Sequence, residues 1–137
     1  MSQNVQLMRD GLAAFSVGDL DGAVAQMSPE IEWHLAFELP DLPADKRIFR
    51  GRDQVRELFA AFRSVWEELT VEIEEVLYDV DPVFVARARF RGLGGTSGIE
   101  VDRVLYYVAE VEDGMLRVLR PFDELDEARS AAGLEDE

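Results

Sequence analysis

Apolar positions along the chain change period several times, and each change marks an element. Val5, Met8, Leu12 and Phe15 recur at helical spacing, and Gly18 stops the helix they predict. Asp19 can cap a second short helix carrying Leu20, Ala23, Val24 and Met27, which Pro29 should end. Ile31-Glu-Trp-His-Leu35 alternates apolar and polar residues and reads as a half-buried strand. From Glu38 to Gly51 no period survives and two prolines intervene, so a long loop is expected there. Asp53 can cap a strong helix whose stripe is Val55, Leu58, Phe59, Phe62, Val65 and Trp66, ending near Leu69.

Strand-like stretches follow at 70–79, 82–92, 99–112 and 115–122, joined by turn signals at Asp81-Pro82 and Asp113-Gly114 and by the glycine-rich run 92–98. A final helix is expected from Glu124 to Leu134. Serial strands with short connections make an antiparallel meander, so the fold class is α+β, with helices laid across one curved sheet. Residues 1–134 are expected to form one domain, and 135–137 an acidic tail that frays.

Composition narrows the chemistry. At 137 residues, 47% apolar and 31% charged, the chain is one globular domain. It has no cysteine and one histidine, which excludes thiol nucleophiles, disulfides and multi-histidine metal sites, and no metal or cofactor is expected. Twenty-nine acids against 14 bases give a net charge of −15, which repels nucleic acid. No apolar run is long enough for a membrane span, and Met1-Ser-Gln-Asn4 lacks the layout of a secretory signal, so a cytoplasmic location is expected.

Four stretches carry a resemblance: Phe15-Ser-Val-Gly-Asp-Leu-Asp21, Pro29-Glu-Ile-Glu-Trp33, Phe49-Arg-Gly-Arg-Asp-Gln-Val55, and the tail from Asp113-Gly114 through Glu127-Ala128 to Ala132-Gly-Leu134. Thr96-Ser-Gly-Ile-Glu-Val-Asp102 adds to them. In their order and spacing the chain resembles the SnoaL-like branch of the nuclear transport factor 2-like superfamily, which shares its cone-shaped fold with ketosteroid isomerases and limonene epoxide hydrolases. The resemblance implies a curved sheet around a helix-lidded cavity open at one end. It does not imply a reaction. The isomerases' helical tyrosine corresponds to Gly11, and their general-base aspartate to Trp33, which cannot accept a proton. The epoxide hydrolases' Arg-x-Asp pair falls on Arg87-Ala-Arg89, and their second aspartate falls near Pro121. Polyketide cyclases of this type use a cavity acid, and neither Asp123 nor Glu124 aligns securely with it.

The residues leave their own candidates. Arg87, Arg89 and Arg91 share one face of the strand 82–92 with Val83 and Val85, and Phe84, Ala86, Ala88 and Phe90 share the other. A register setting Arg89 opposite Asp102 and Arg91 opposite Glu100 pairs the charges. The epoxide-hydrolase comparison places this arginine face in the cavity, where Arg87, Arg89, Asp102 and Tyr106 would orient a polar group of a ligand, with Asp102 as candidate acid. The competing reading is a solvated strand pair on the outer face. The face of Phe84, Ala86, Ala88 and Phe90 is too apolar to be left in water, and members of the superfamily commonly dimerise sheet to sheet, so a homodimer is expected. His34, the one histidine, is a second candidate catalytic group, though alternation turns it away from Trp33. Trp33, Phe37, Phe59 and Phe62 form an aromatic set that either packs the core or lines a site for a small hydrophobic molecule. Binding of such a molecule is the function expected. Acid–base chemistry of the cyclase, isomerase or hydrolase type, or protein interaction through the sheet face, are the alternatives.

Overall fold

The computed structural model describes residues 3–35, 47–94 and 100–133, Glu67 by its backbone alone. Helix α1 (Gln3–Ser16) buries Val5, Met8, Leu12 and Phe15, the stripe its spacing announces. In α2 (Leu20–Ala25) the Asp19 carboxylate accepts the Gly22 N–H at 3.0 Å, a side-chain cap on the first turn. Strand β1 (Met27–His34) starts earlier than expected, and Pro29 lies within it. The proline is tolerated because β1 breaks register with its neighbour between Met27 and Glu32, so no ladder bond is demanded of it.

Part of the expected loop is ordered as a three-residue edge strand, β2 (Ile48–Arg50), paired antiparallel with β1. Helix α3 (Gly51–Val65) follows at once. Its start is not the Asp53 cap that the sequence offers: Gln54 Oε1 accepts the Arg50 N–H at 2.9 Å, and Asp53 falls inside the first turn, where its charge suits the helix dipole. The helix also ends four residues early. Trp66 already begins β3 (Trp66–Val80), since Leu69, Val71 and Ile73 alternate into the core and impose period 2.

Strands β4 (Val83–Gly94), β5 (Glu100–Glu112) and β6 (Met115–Phe122) complete the meander. The β5–β6 turn, Asp113-Gly114, holds both residues at positive φ (55° and 75°), the twist a two-residue hairpin requires. The open sheet has six strands in the order β2-β1-β6-β5-β4-β3, and it is mixed, because β1 runs parallel to β6. Helices α1 and α3 cover one face, here the inner one, with α2 packed beside them. The short α4 (Leu125–Ala131) lies on the outer face, where Ala128 seals Val85 and Val108. No described helix is long and apolar enough to cross a membrane.

The faces of β4 are the reverse of the cavity expectation. Phe84, Ala86, Ala88 and Phe90 are at most 3% exposed, buried beneath the protein's own helices. They are therefore not a surface through which a second copy could pair, and the arginines point outward. Burial decides this: covering the phenylalanine face is favourable, whereas burying three guanidiniums would require a partner for each.

Candidate functional site

The inner face concentrates aromatic residues from four directions. Phe15 comes from α1, Trp33 from β1, Phe59 and Phe62 from α3, and Phe90 and Tyr107 from the sheet. Phe15–Phe59 and Trp33–Phe59 meet edge to face with centroids 5.0 Å apart, Trp33–Tyr107 does so at 6.4 Å, and Phe62–Phe90 pack tilted at 5.5 Å. They do not fill the space. A cavity of about 30 Å³ remains among them, bordered also by Leu35, Leu105 and Pro121. A second, of about 20 Å³, lies toward Met8, Met27 and Leu116. Leu12, Trp33 and Phe59 border both, so these three side chains form the wall between them.

Of the expected aromatic set, Trp33, Phe59 and Phe62 all line the larger of these two core cavities, and Phe37 lies outside the described residues. Trp33 and Ile31 point inward as alternation requires. His34 borders the cavity at the end of β1, but its imidazole is bonded to Glu32, its neighbour on the same side of the strand, at 2.7 Å. That hydrogen bond holds the Glu32 carboxyl below its usual range, with the charges of His34, Arg50 and Arg117 adding to it against partial burial.

The polar cluster built around Asp102 is assembled, but on the other side of the sheet. Arg89 Nε meets Asp102 Oδ1 at 2.8 Å, Arg89 Nη1 meets Glu74 at 3.2 Å, and Arg87 contacts Glu74 at 3.4 Å and Glu75 at 3.0 Å. Tyr106, directly opposite Arg87, joins the outer apolar cluster beneath α4. These four residues therefore do not face the cavity. The Asp123 carboxylate, one residue past the end of β6, is gripped by Arg103 at 2.6 and 3.1 Å. Among the described residues, no group of three or more His, Asp or Glu side chains is placed to hold a metal ion.

Tyr107 is the inward group that the sequence reading passed over. It is 4% exposed, and burial pushes its phenol above the ordinary value, so it is a neutral donor at physiological pH. The same alternation that sends Tyr106 outward sends Tyr107 inward, so a correct choice of faces on β4 would have found it.

Solved structures share this architecture at identities that speak for the fold alone. TerC, co-crystallised with polyporic acid, superposes with a TM-score of 0.73 at 14% identity over 96% of this chain and 99% of its own. RV0760c from Mycobacterium tuberculosis, in complex with estradiol-17beta-hemisuccinate, gives 0.74 at 16% identity over 92% and 97%. An NTF2-like protein of unknown function from Burkholderia pseudomallei gives 0.73 at 19% over 95% and 97%. No curated protein sequence matches the chain. The model of the SnoaL-like domain matches residues 8–119, which run from within α1 into β6 and include every wall of the cavity except Pro121, and the chain belongs to that family, within the NTF2-like superfamily.

Proposed function

We propose that this protein binds a small hydrophobic molecule between α1, α3 and the inner face of the sheet. The observation that carries the reading is unfilled space walled by aromatic side chains in an otherwise packed core. Protein interiors pack as densely as organic crystals, and a void forfeits dispersion contacts, so two adjoining cavities sharing a wall mark a place where the core is held open. The larger cavity as it stands has room for only a water or two, on the order of a tenth of what a ligand pocket offers. Binding therefore displaces side chains, and the Leu12–Trp33–Phe59 wall is the natural one to yield, because space lies on both sides of it. The ligands crystallised with TerC and with RV0760c support a hydrophobic occupant.

Binding is favoured over acid–base turnover. The carboxylates of Asp102 and Asp123 are held by arginines and that of Glu32 by His34, and the buried phenol of Tyr107 is a poor base. The test is titration with N-phenyl-1-naphthylamine, a neutral dye that fluoresces in apolar surroundings. Saturable enhancement is expected, with a thermal midpoint that rises with dye concentration and a weakened response in Leu105→Trp, which fills the cavity. A folded protein showing no saturable signal and no midpoint shift overturns the proposal, as does a response unchanged in Leu105→Trp.

A further inference from the structure

We infer that the Tyr107 hydroxyl is the polar anchor of the cavity and that it selects a neutral ligand bearing a hydrogen-bond acceptor oxygen. The inference rests on the binding reading above and specifies its ligand. The first observation is the hydroxyl's surroundings. Along β5 its neighbours on the inner face are Leu105 and Ala109, and across the ladders they are Ala86 and Pro121. None of these side chains has a donor or acceptor. Among the described residues the structure gives the Tyr107 hydroxyl no hydrogen-bond partner, and it is not one of the fully enclosed unpartnered polar atoms, so solvent or an occupant can reach it; the Trp33 and Tyr107 ring centroids lie 6.4 Å apart. The second observation is position, since Tyr107 lines the larger cavity.

A hydroxyl without a protein partner gains when one is supplied, and here the acceptor has to come from what enters the cavity, water or a ligand oxygen. No Lys or Arg lines the cavity, and the one basic side chain at its border, His34, is bonded to Glu32, so a carboxylate or phosphate would find no free counter-charge, against a net protein charge of −15. A cation has no inward carboxylate to meet. What remains is an uncharged, largely apolar molecule whose carbonyl, ether or hydroxyl oxygen accepts from the phenol. Sites built around a hydrogen bond reject the analogue that lacks the matching group more firmly than sites built on shape alone.

The experiment compares 1-indanone with indane, the same bicycle with and without a carbonyl, by calorimetry on the full chain and on Tyr107→Phe. The wild type is expected to bind both. Tyr107→Phe is expected to weaken indanone about fivefold, the effect of one neutral hydrogen bond, and to leave indane unchanged. Equal changes for both probes, or none, overturn the anchor and leave the binding reading standing. If neither probe binds the wild type, both readings fall together. The thermal midpoint gives an independent arm. Because the hydroxyl has no protein partner, ligand-free Tyr107→Phe should melt close to the wild type, and a fall of more than about 5 °C would show a lost internal bond and overturn the anchor.

Discussion

Arg89 crosses the β4–β5 ladder diagonally to Asp102, Nε to Oδ1 at 2.8 Å, although the residue directly opposite Asp102 is Arg91, whose Nε stands 3.8 Å from the same oxygen. The register is thus two residues away from the one that sets Arg89 against Asp102. A shift of two keeps every side chain on its face, so the charge pairing survives as a diagonal contact, within the reach of a long side chain. Two guanidiniums flank one carboxylate on the outer surface, and Glu74 takes the remaining reach of Arg89 at 3.2 Å.

From this placement, Asp102→Asn is expected to leave the affinity for N-phenyl-1-naphthylamine unchanged and the thermal midpoint at pH 7 nearly so, because exposed ion pairs contribute little. The hydrogen bond from Arg89, with the charges of Arg89 and Arg91, holds the Asp102 carboxyl below its usual range. A carboxylate with a depressed folded-state pKa contributes stability above its unfolded value, near 4, that is lost as the pH falls through the folded value. The variant should therefore lose slightly less stability than the wild type between pH 7 and pH 3. Thermal melts at both pH values, beside a dye titration, check this, and a changed dye affinity would tie the outer face to the site.

Glu32 obeys the same sign through a different donor. Its carboxyl is lowered first by the hydrogen bond from His34, so its contribution is present at neutral pH and fades on acidification below about pH 4.5. Glu32→Gln should cost under about 1 kcal/mol at pH 7, as for other partly exposed pairs, and narrow the gap between urea midpoints at pH 7 and pH 4. The His34 ring nitrogen shifts should move in the same variant, since Nε2 loses its carboxylate partner. Unchanged ring shifts would contradict the 2.7 Å contact.

The helix stripes, the alternation of β4 to β6, the Asp113-Gly114 hairpin and the inward Trp33 were all legible, because each is set by local period or turn chemistry. The end of α3 was not. Phe62, Trp66 and Leu69 fit helical spacing, while Leu69, Val71 and Ile73 fit a strand, and only the ladder to β4 decides between them. The strand β2 is too short to show a period, and the parallel pairing of β1 with β6 joins segments about ninety residues apart, beyond any local signal. Of the aromatic residues around the candidate cavity, Trp33, Phe59 and Phe62 were named from their spacing. Phe90 and Tyr107 were not, because comparison with an epoxide hydrolase, and not the cost of burying guanidinium, assigned the faces of β4.

Trp33→Ala should merge the two cavities, since Trp33 borders both. A destabilisation of about 3–5 kcal/mol is expected from the lost burial and the enlarged void. Binding preference should move toward bulkier apolar probes, because the wall has gone. Urea unfolding gives the first quantity, and calorimetry with indane against the three-ring hydrocarbon fluorene gives the second. Where the alanine variant is too unstable to handle, Trp33→Leu tests the same shift in preference at a smaller cavity cost. A preference that stays with the smaller probe would show that Trp33 is not the dividing wall.

Gly92→Ala tests how the far wall of the site is supported. A Cβ on Gly92 would lie 2.7 Å from Cγ of Trp66, on the rigid indole and not at the end of a flexible chain, so the ring itself must move. That ring stacks on Phe62 at 6.4 Å and meets Phe90 edge-on at 5.4 Å, and both phenylalanines line the larger cavity. Overpacking of this kind costs about 1–3 kcal/mol. The displacement should also reach the ligand, because Phe62 and Phe90 pack against the ring that has to move. The expected outcome is therefore a lower thermal midpoint together with altered N-phenyl-1-naphthylamine affinity, although neither Gly92 nor Trp66 borders the cavity. Loss of stability with unchanged affinity would mean that the Phe62–Phe90 wall holds its position without Trp66 behind it.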